Sequence, residues 1–249
     1  MAVENQGSAI DVTDLHKSFG TQSVLNGIRL EVKQGETLVV MGRSGTGKSV
    51  LLKLLIGLEP ADSGAVRIGG QDIGNLSRND LNEVRKRIGF LFQQAALYDS
   101  LTIEQNVMFP LERHSRKPQE EQKERARELL KSVGMEKDLE KLPSQISGGM
   151  QKRVGLARAL ALDFEILLFD EPTAGLDPIT ATEISHLIAD LKKQRHMTAV
   201  VVTHDIPSAR IFADRVALID QGKIVVEGSF DDLRSSQIPF AKEFFENGC

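Results

Sequence analysis

Three glycines, a lysine and a hydroxyl fall in one short string, Gly42-Arg43-Ser44-Gly45-Thr46-Gly47-Lys48-Ser49. That spacing suits the holding of a polyphosphate. The glycines let the backbone curl so that successive N–H groups point inward. Lys48 is then placed to reach the β- and γ-phosphates of a nucleoside triphosphate, and the Ser49 hydroxyl to ligate Mg²⁺. A second string, Ile166-Leu167-Leu168-Phe169-Asp170-Glu171, delivers two carboxylates behind four apolar residues. Neighbours on a strand point in opposite directions, so the two acids take different work. Asp170 suits the Mg²⁺ shell as the acidic partner of Ser49, and Glu171 is left to orient or deprotonate an attacking water. A third string, Gln145-Ile146-Ser147-Gly148-Gly149-Met150, is a Ser-Gly-Gly turn opening a helix and offers further donors for phosphate. In a P-loop fold such donors are expected to face away from their own nucleotide and to be useful chiefly to the nucleotide of a second copy.

Each string needs an element to hold it. Residues 37–41 form a run that reads as a parallel strand covered on both faces. Residues 49–58 read as the helix whose N-terminus receives the anion. Residues 166–169 read as another buried strand, with the acids at its C-terminal end, where open α/β sheets collect ligands. Early strands are expected at 10–19 and 28–32, a hairpin over 64–73 turning at Gly69-Gly70, and a second hairpin over 216–227 around Gln221-Gly222. From 94 to about 163 helical periodicity replaces the strand signal. Ala126, Leu129, Leu130 and Val133 repeat at helical spacing, and Gly134 is placed to end that helix. The stripe Ile184, Leu187, Ile188 and Leu191 predicts a helix over 178–195, with Pro178 in its first turn. The charged run 120–128 reads as a solvated helix face.

At 249 residues the chain can bury a large core as one α/β domain with a subdomain. A formal net charge of −4 gives no general attraction to nucleic acid. The single cysteine, Cys249, excludes a disulfide framework and a Cys/His metal site, which fits a reducing compartment. No apolar run approaches the roughly 20 residues of a membrane span, and no secretory leader is legible at the start. The expectation is a cytosolic chain whose membrane association comes through a partner.

The strings, in this order and spacing, resemble the ATP-binding cassette (ABC) family, in which two cassettes sandwich two ATPs. The resemblance implies an α/β fold, a P-loop NTPase (RecA-like) core with an antiparallel β portion specific to the family and an inserted helical subdomain. It implies one nucleotide-binding domain over 1–249: core about 8–93 and 164–228, helical subdomain about 94–163, C-terminal tail about 229–249. ATP contacts would come from Phe19 on the adenine and from Gly42, Arg43, Ser44, Gly45, Thr46, Gly47, Lys48, Ser49 and Val50. Gln93, after the strand 89–92, matches the glutamine that senses γ-phosphate and Mg²⁺. His204, after the strand 199–203, matches the switch histidine on the γ-phosphate. Catalysis would then rest on Glu171, His204, Gln93 and Lys48, and Mg²⁺ on Ser49, Gln93 and Asp170. Ser147, Gly148 and Gly149 would act in trans, and Asp177 in Ala174-Gly175-Leu176-Asp177 would lie at the dimer interface. One position departs from the pattern: Met150 stands where the family signature has glutamine, which puts a side-chain contact in doubt while Ser147 and the helix-start N–H groups remain.

Only about 100 residues separate phosphate loop and signature, without the heptads of chromosome-organising relatives. The second cassette of translation-factor relatives and the zinc cysteines of repair relatives are also missing. That leaves a single-cassette transport ATPase or one coupling ATP to periplasmic cell-wall machinery. The string Ala96-Leu97-Tyr98-Asp99-Ser100-Leu101-Thr102, the signature end Gly149-Met150-Gln151-Lys152-Arg153-Val154-Gly155 and the tail residues Phe240, Phe245 and Gly248 are similar to the Mla-type ATPases of MCE-linked lipid transporters in Gram-negative bacteria. This resemblance implies a homodimer that moves phospholipids between inner and outer membranes. It would sit on the cytoplasmic face of the inner membrane, held by a polytopic permease with an MCE-type lipid-binding protein and accessory subunits. Tyr98 and Leu101 would either pack beneath their loop or touch the permease. The alternative substrate is a small imported solute.

Overall fold

The computed structural model describes residues 7–162 and 164–247. Residues 1–6, the Asp163 edge of the helical stretch, and the tail residues Gly248 and Cys249 lie outside the described residues.

In chain order the elements are β1 (Ser8–Phe19), β2 (Gln22–Lys33), β3 (Thr37–Met41), α1 (Lys48–Leu55), β4 (Ser63–Ile68), β5 (Gln71–Asp72), α2 (Arg78–Arg85) and β6 (Ile88–Leu91). Then come α3 (Ile103–His114), α4 (Gln119–Ser132), α5 (Gly148–Ala159), β7 (Ile166–Asp170), α6 (Pro178–Arg195), β8 (Thr198–Thr203), α7 (Ile206–Phe212), β9 (Arg215–Asp220), β10 (Lys223–Gly228), α8 (Phe230–Arg234) and α9 (Pro239–Asn247).

Two sheets result. A six-stranded sheet runs in the order β10-β9-β3-β8-β7-β6, parallel except for β10, which pairs antiparallel with β9 at one edge. A four-stranded antiparallel sheet runs β2-β1-β4-β5. The continuous apolar runs of β3 and β8 are explained by burial on both faces, since every residue in each is buried. Alternate side chains divide between two cores. Val39, Met41, Leu167, Phe169, Val201 and Leu218 face the helices α3 to α7. Leu38, Val40, Leu168, Val200, Val202 and Ile219 face α1 and the antiparallel sheet. Among the described residues no helix is long and apolar enough to cross a membrane.

Most expected elements form, with three differences. α1 ends at Leu55 rather than 58, because Ile56 leaves helical geometry and Gly57 takes a positive φ of 62°. β2 begins at Gln22, before the apolar alternation of its second half becomes visible. Neither α2 nor the later helices α7, α8 and α9 were expected; α2 is short and polar, and Val84 is its one buried residue. Its Ser77 cap, which accepts from the Asp80 N–H at 3.3 Å, was the sequence cue.

Gly89 on β6 marks a tight approach between the parallel sheet and the end of α5. A Cβ there would meet the Ala159 carbonyl oxygen at 2.5 Å and Leu167 Cδ2 at 2.4 Å. The Gly89→Ala variant should therefore lose about 1–3 kcal/mol in urea unfolding, and an unchanged midpoint would show that this seam can relax.

Candidate nucleotide site

The loop between β3 and α1 is shaped by what surrounds its glycines. A Cβ on Gly42 would strike the Ile219 carbonyl oxygen at 2.4 Å, and one on Gly47, where φ is 96°, would strike Leu25 and Val24 of β2. β2 thus backs the loop, which is the use of its early start. No side chain caps the N-terminus of α1 and no acid stands in its first turn, leaving that end open to an anion. Lys48 is buried, and its Nζ donates to the carbonyls of Gly42 at 2.8 Å and Arg43 at 3.0 Å. Burial pushes its pKa down, and the charges of Glu171 and Asp170 oppose that shift. Thr46 Oγ1 closes the turn on the Arg43 carbonyl at 2.9 Å, while Ser44 and Gly45 are exposed and Val50 is half-buried.

The two carboxylates do diverge, and the backbone enforces it. Asp170 ends β7 and accepts from Ser49 Oγ at 2.8 Å. Glu171 leaves the strand with a positive φ of 47°, its N–H bonded across to the Val202 carbonyl at 2.9 Å. Its side chain is buried and accepts from Thr203 Oγ1 at 3.1 Å, while both its oxygens lie 3.0 Å from His204 Nδ1. Thr203 is the member that sequence reading missed. Its only signal was a hydroxyl ending an apolar strand.

The remaining expected residues are more dispersed. Gln93 follows β6 with its side chain exposed. Phe19 stands at the end of β1, paired with Gln22 at the start of β2; its ring is 47% exposed and Lys17 Nζ lies 5.1 Å from its centroid. The side chain of Arg43 turns to the tail, where it pairs with Glu243 and lies 6.0 Å from the Phe240 ring. Ser147 caps α5, accepting from the Met150 N–H at 3.3 Å. A Cβ on Gly148 would approach Leu176, and one on Gly149 would meet Thr180 Cγ2 at 2.5 Å. Asp177 caps α6 through the N–H groups of Ile179 and Thr180, both at 3.1 Å. The Thr180 hydroxyl bond is the chief reason its carboxyl stays below the usual range.

Loop, buried lysine, hydroxyl–carboxylate pair and second carboxylate at one edge of a parallel sheet define a P-loop nucleoside triphosphatase. The family model described as ABC transporter matches residues 25–174, which include the phosphate loop, Gln93, Ser147, Asp170 and Glu171. The probable ribonucleotide transport ATP-binding protein mkl of Mycobacterium leprae is 42% identical over 96% of this chain and 69% of its own length. The methionine import ATP-binding protein MetN of Rhizobium johnstonii is 44% identical over 91% of this chain and 64% of its own length. The chain thus spans about two thirds of these curated relatives. A dimeric ATP-binding cassette solved in a post-hydrolysis state with ADP and Pi superposes with a TM-score of 0.82 at 36% identity, covering 89% of this chain and 98% of that one. A cassette from the ABC transporter complex cbiONQ of Clostridium perfringens gives 0.84 at 28% identity, covering 95% and 94%. The chain belongs to the ABC transporter family as an ATP-binding cassette, and it is an ATPase.

Asp170 reveals the cost of this site. Burial is the main cause that raises its pKa above 3.8, aided by Glu171 and opposed by the Ser49 hydrogen bond. A carboxyl raised on folding contributes stability in full below about pH 4 and loses it as pH climbs through the raised value. Asp170→Asn should therefore raise the melting temperature of the nucleotide-free protein at pH 7 and do little near the unfolded-state pKa. A lowered melting temperature at pH 7 would show that the ionised acid stabilises the empty site.

Proposed function

We propose that this chain is the ATP-hydrolysing subunit of a membrane transport complex, that two copies close around two ATPs, and that the cargo is phospholipid moved between inner and outer membranes. The observation that carries the hydrolytic part is the placement of Glu171: buried, at a strand end, bonded to Thr203 and His204, and next to the Ser49–Asp170 pair.

On this reading the loop N–H groups from Gly42 to Val50 and the end of α1 take the phosphates, and Lys48 exchanges its carbonyl partners for phosphate oxygens. Phe19 stacks on the base. Glu171 holds the attacking water and accepts its proton. The His204 contact must give way for that, and a γ-phosphate offering His204 a new partner provides the exchange. Ser49 and Asp170 present hard oxygens 2.8 Å apart, a donor set that fits Mg²⁺, with Gln93 as a further oxygen from the facing loop. When bound, Mg²⁺ neutralises charge on the phosphates. Ser147, Gly148 and Gly149 then serve the nucleotide of a second copy, their glycines lying against Leu176 and Thr180, with Asp177 beside the same interface.

The organisation proposed is one nucleotide-binding domain with its core at 8–93 and 164–228, a helical subdomain at 94–163 and a tail at 229–249. The segment 96–102 is the proposed contact with a polytopic inner-membrane permease, which would hold the chain on the cytoplasmic face beside an MCE-type lipid-binding protein. Fully buried Asn106 pins this segment, accepting from the Tyr98 N–H at 2.8 Å and donating to the carbonyls of Tyr98, Leu101 and Thr102. Tyr98 remains 45% exposed with its ring 4.5 Å from that of Phe109, an aromatic surface open to a partner. Phospholipid is favoured by the likeness of 96–102, 149–155 and the tail to Mla-type ATPases. The methionine import relative, at 44% identity, favours a second reading, a small-solute importer.

Glu171→Gln should bind ATP normally, accumulate as a dimer and hydrolyse it at least about a hundredfold more slowly, whereas Lys48→Ala should lose nucleotide binding. Near-normal turnover by Glu171→Gln would remove the base assignment.

Transport is tested with the protein in its membrane complex, following labelled phospholipid from proteoliposomes to acceptor vesicles with and without ATP. Lipid should move only with ATP, and Leu101→Asp should weaken assembly while leaving nucleotide binding intact. Permease docking and ATP binding must assist each other by the same factor. ATP-driven movement of an amino acid with no lipid movement would select the second reading.

A further inference from the structure

A buried cation on α5 takes no part in the chemistry above. Lys152 is 5% exposed, and its ammonium donates to two main-chain carbonyls rather than to a carboxylate: that of Glu171, at 3.2 Å, and that of Gln93. Burial pushes this lysine's pKa down, with Asp170 and Glu171 acting the other way. A charge kept at such a place needs its hydrogen bonds, and these two bonds reach two different loops of the site.

The same face of α5 grips the loop after β6 at further points. A Cβ on Gly155 would meet Leu91 at 2.8 Å and Ala95 at 3.0 Å, so the helix lies close against the loop there. One turn on, Arg158 donates to the carbonyls of Ala95 at 2.6 Å and Ala96 at 2.7 Å. Positions 152, 155 and 158 share a helix face by their spacing. Ala95 and Ala96 both hold positive φ values, 57° and 47°, a conformation that persists only where the surroundings fix it. Glu171, with φ of 47°, is fixed in the same way on the other side of Lys152.

We propose that Lys152 is a positioning residue for ATP hydrolysis, tying the main chain at Gln93 and at Glu171 to helix α5. The Glu171 carboxylate is then set by the helix that begins at Ser147–Gly149. Phosphate engaged at that turn orients α5, and α5 carries the two loops of its own chain's site with it. This rests on the reading of Glu171 given above.

The test measures kcat, KM for ATP, ATP affinity and thermal midpoint for Lys152→Met and Lys152→Arg in the full chain, with Glu171→Gln alongside. Methionine fills similar space without a donor, so kcat should fall at least about tenfold with KM and ATP affinity within about twofold. Arginine retains donors and should recover part of kcat. If Lys152→Met does not fold, Lys152→Gln replaces it, with a smaller loss of kcat at the same KM. A kcat within twofold of the parent, a matching loss of ATP affinity, or no recovery with arginine would each overturn the proposal and leave Lys152 as ordinary packing. Normal turnover by Glu171→Gln beside a slow, arginine-rescued Lys152→Met would remove Glu171 as the base while keeping the anchor at Gln93. The reverse pattern would keep the base and remove the anchor.

Discussion

The register of the parallel strands governs everything at the site. Met41 lies opposite Thr203, Val202 opposite Asp170, and Phe169 opposite Leu91. Four strands therefore end at nearly one level, and the chain leaves them toward Gly42, Gln93, Glu171 and His204, of which Glu171 and His204 are in contact. A slip of one residue would turn each side chain to the opposite face and exchange the two cores. Burial on both faces makes such a slip costly, because Val39 and Met41 serve one core while Leu38 and Val40 serve the other. The apolar side chains of the strands thus position the site without touching it, while the strand-end residues Asp170 and Thr203 form part of it.

The strand ends carry charges that the core does not welcome. Lys48, Lys152 and Glu171 are all buried, and burial acts against the charged form of Lys48, Lys152 and Asp170. Opposite charges and carbonyl acceptors offset part of this penalty. The two lysines donate to main-chain oxygens, Asp170 accepts from Ser49, and Glu171 accepts from Thr203 and His204. Each charged group of the site thus has a partner within the chain. On the proposed reading, the partners of Lys48 and His204 are the ones a triphosphate replaces.

Legibility in the sequence followed the range of the interaction. The phosphate loop, the buried strands and the helix Pro178–Arg195 were readable because glycine spacing, unbroken apolar runs and helical periodicity are local signals. The hairpins at Gly69-Gly70 and Gln221-Gly222 were readable for the same reason. Gln22 to Gly27 lacked alternation, yet Val24 and Leu25 shape the phosphate loop from a distance. The left-handed turns at Ala95, Ala96 and Glu171 carry no glycine to announce them. The contacts of His204 with Glu171, and of Lys152 with two loops, join residues far apart in the chain, so no window of sequence contains them.

The Ser147 turn and the phosphate loop are the two ends of one problem. Both stand at helix N-termini, and the glycines of the turn lie against Leu176 and Thr180. On the proposed reading, the two turns of one copy serve two different nucleotides. The seam that joins these places inside the chain is α5 against the loop of residues 93–96, with Gly155 permitting the approach and Lys152 and Arg158 supplying the bonds. A rigid seam of this kind relates the two half-sites geometrically. If a second copy closes on the Ser147 turn, α5 can respond only by moving the loop of Gln93 and the main chain of Glu171 together, because their attachments are shared.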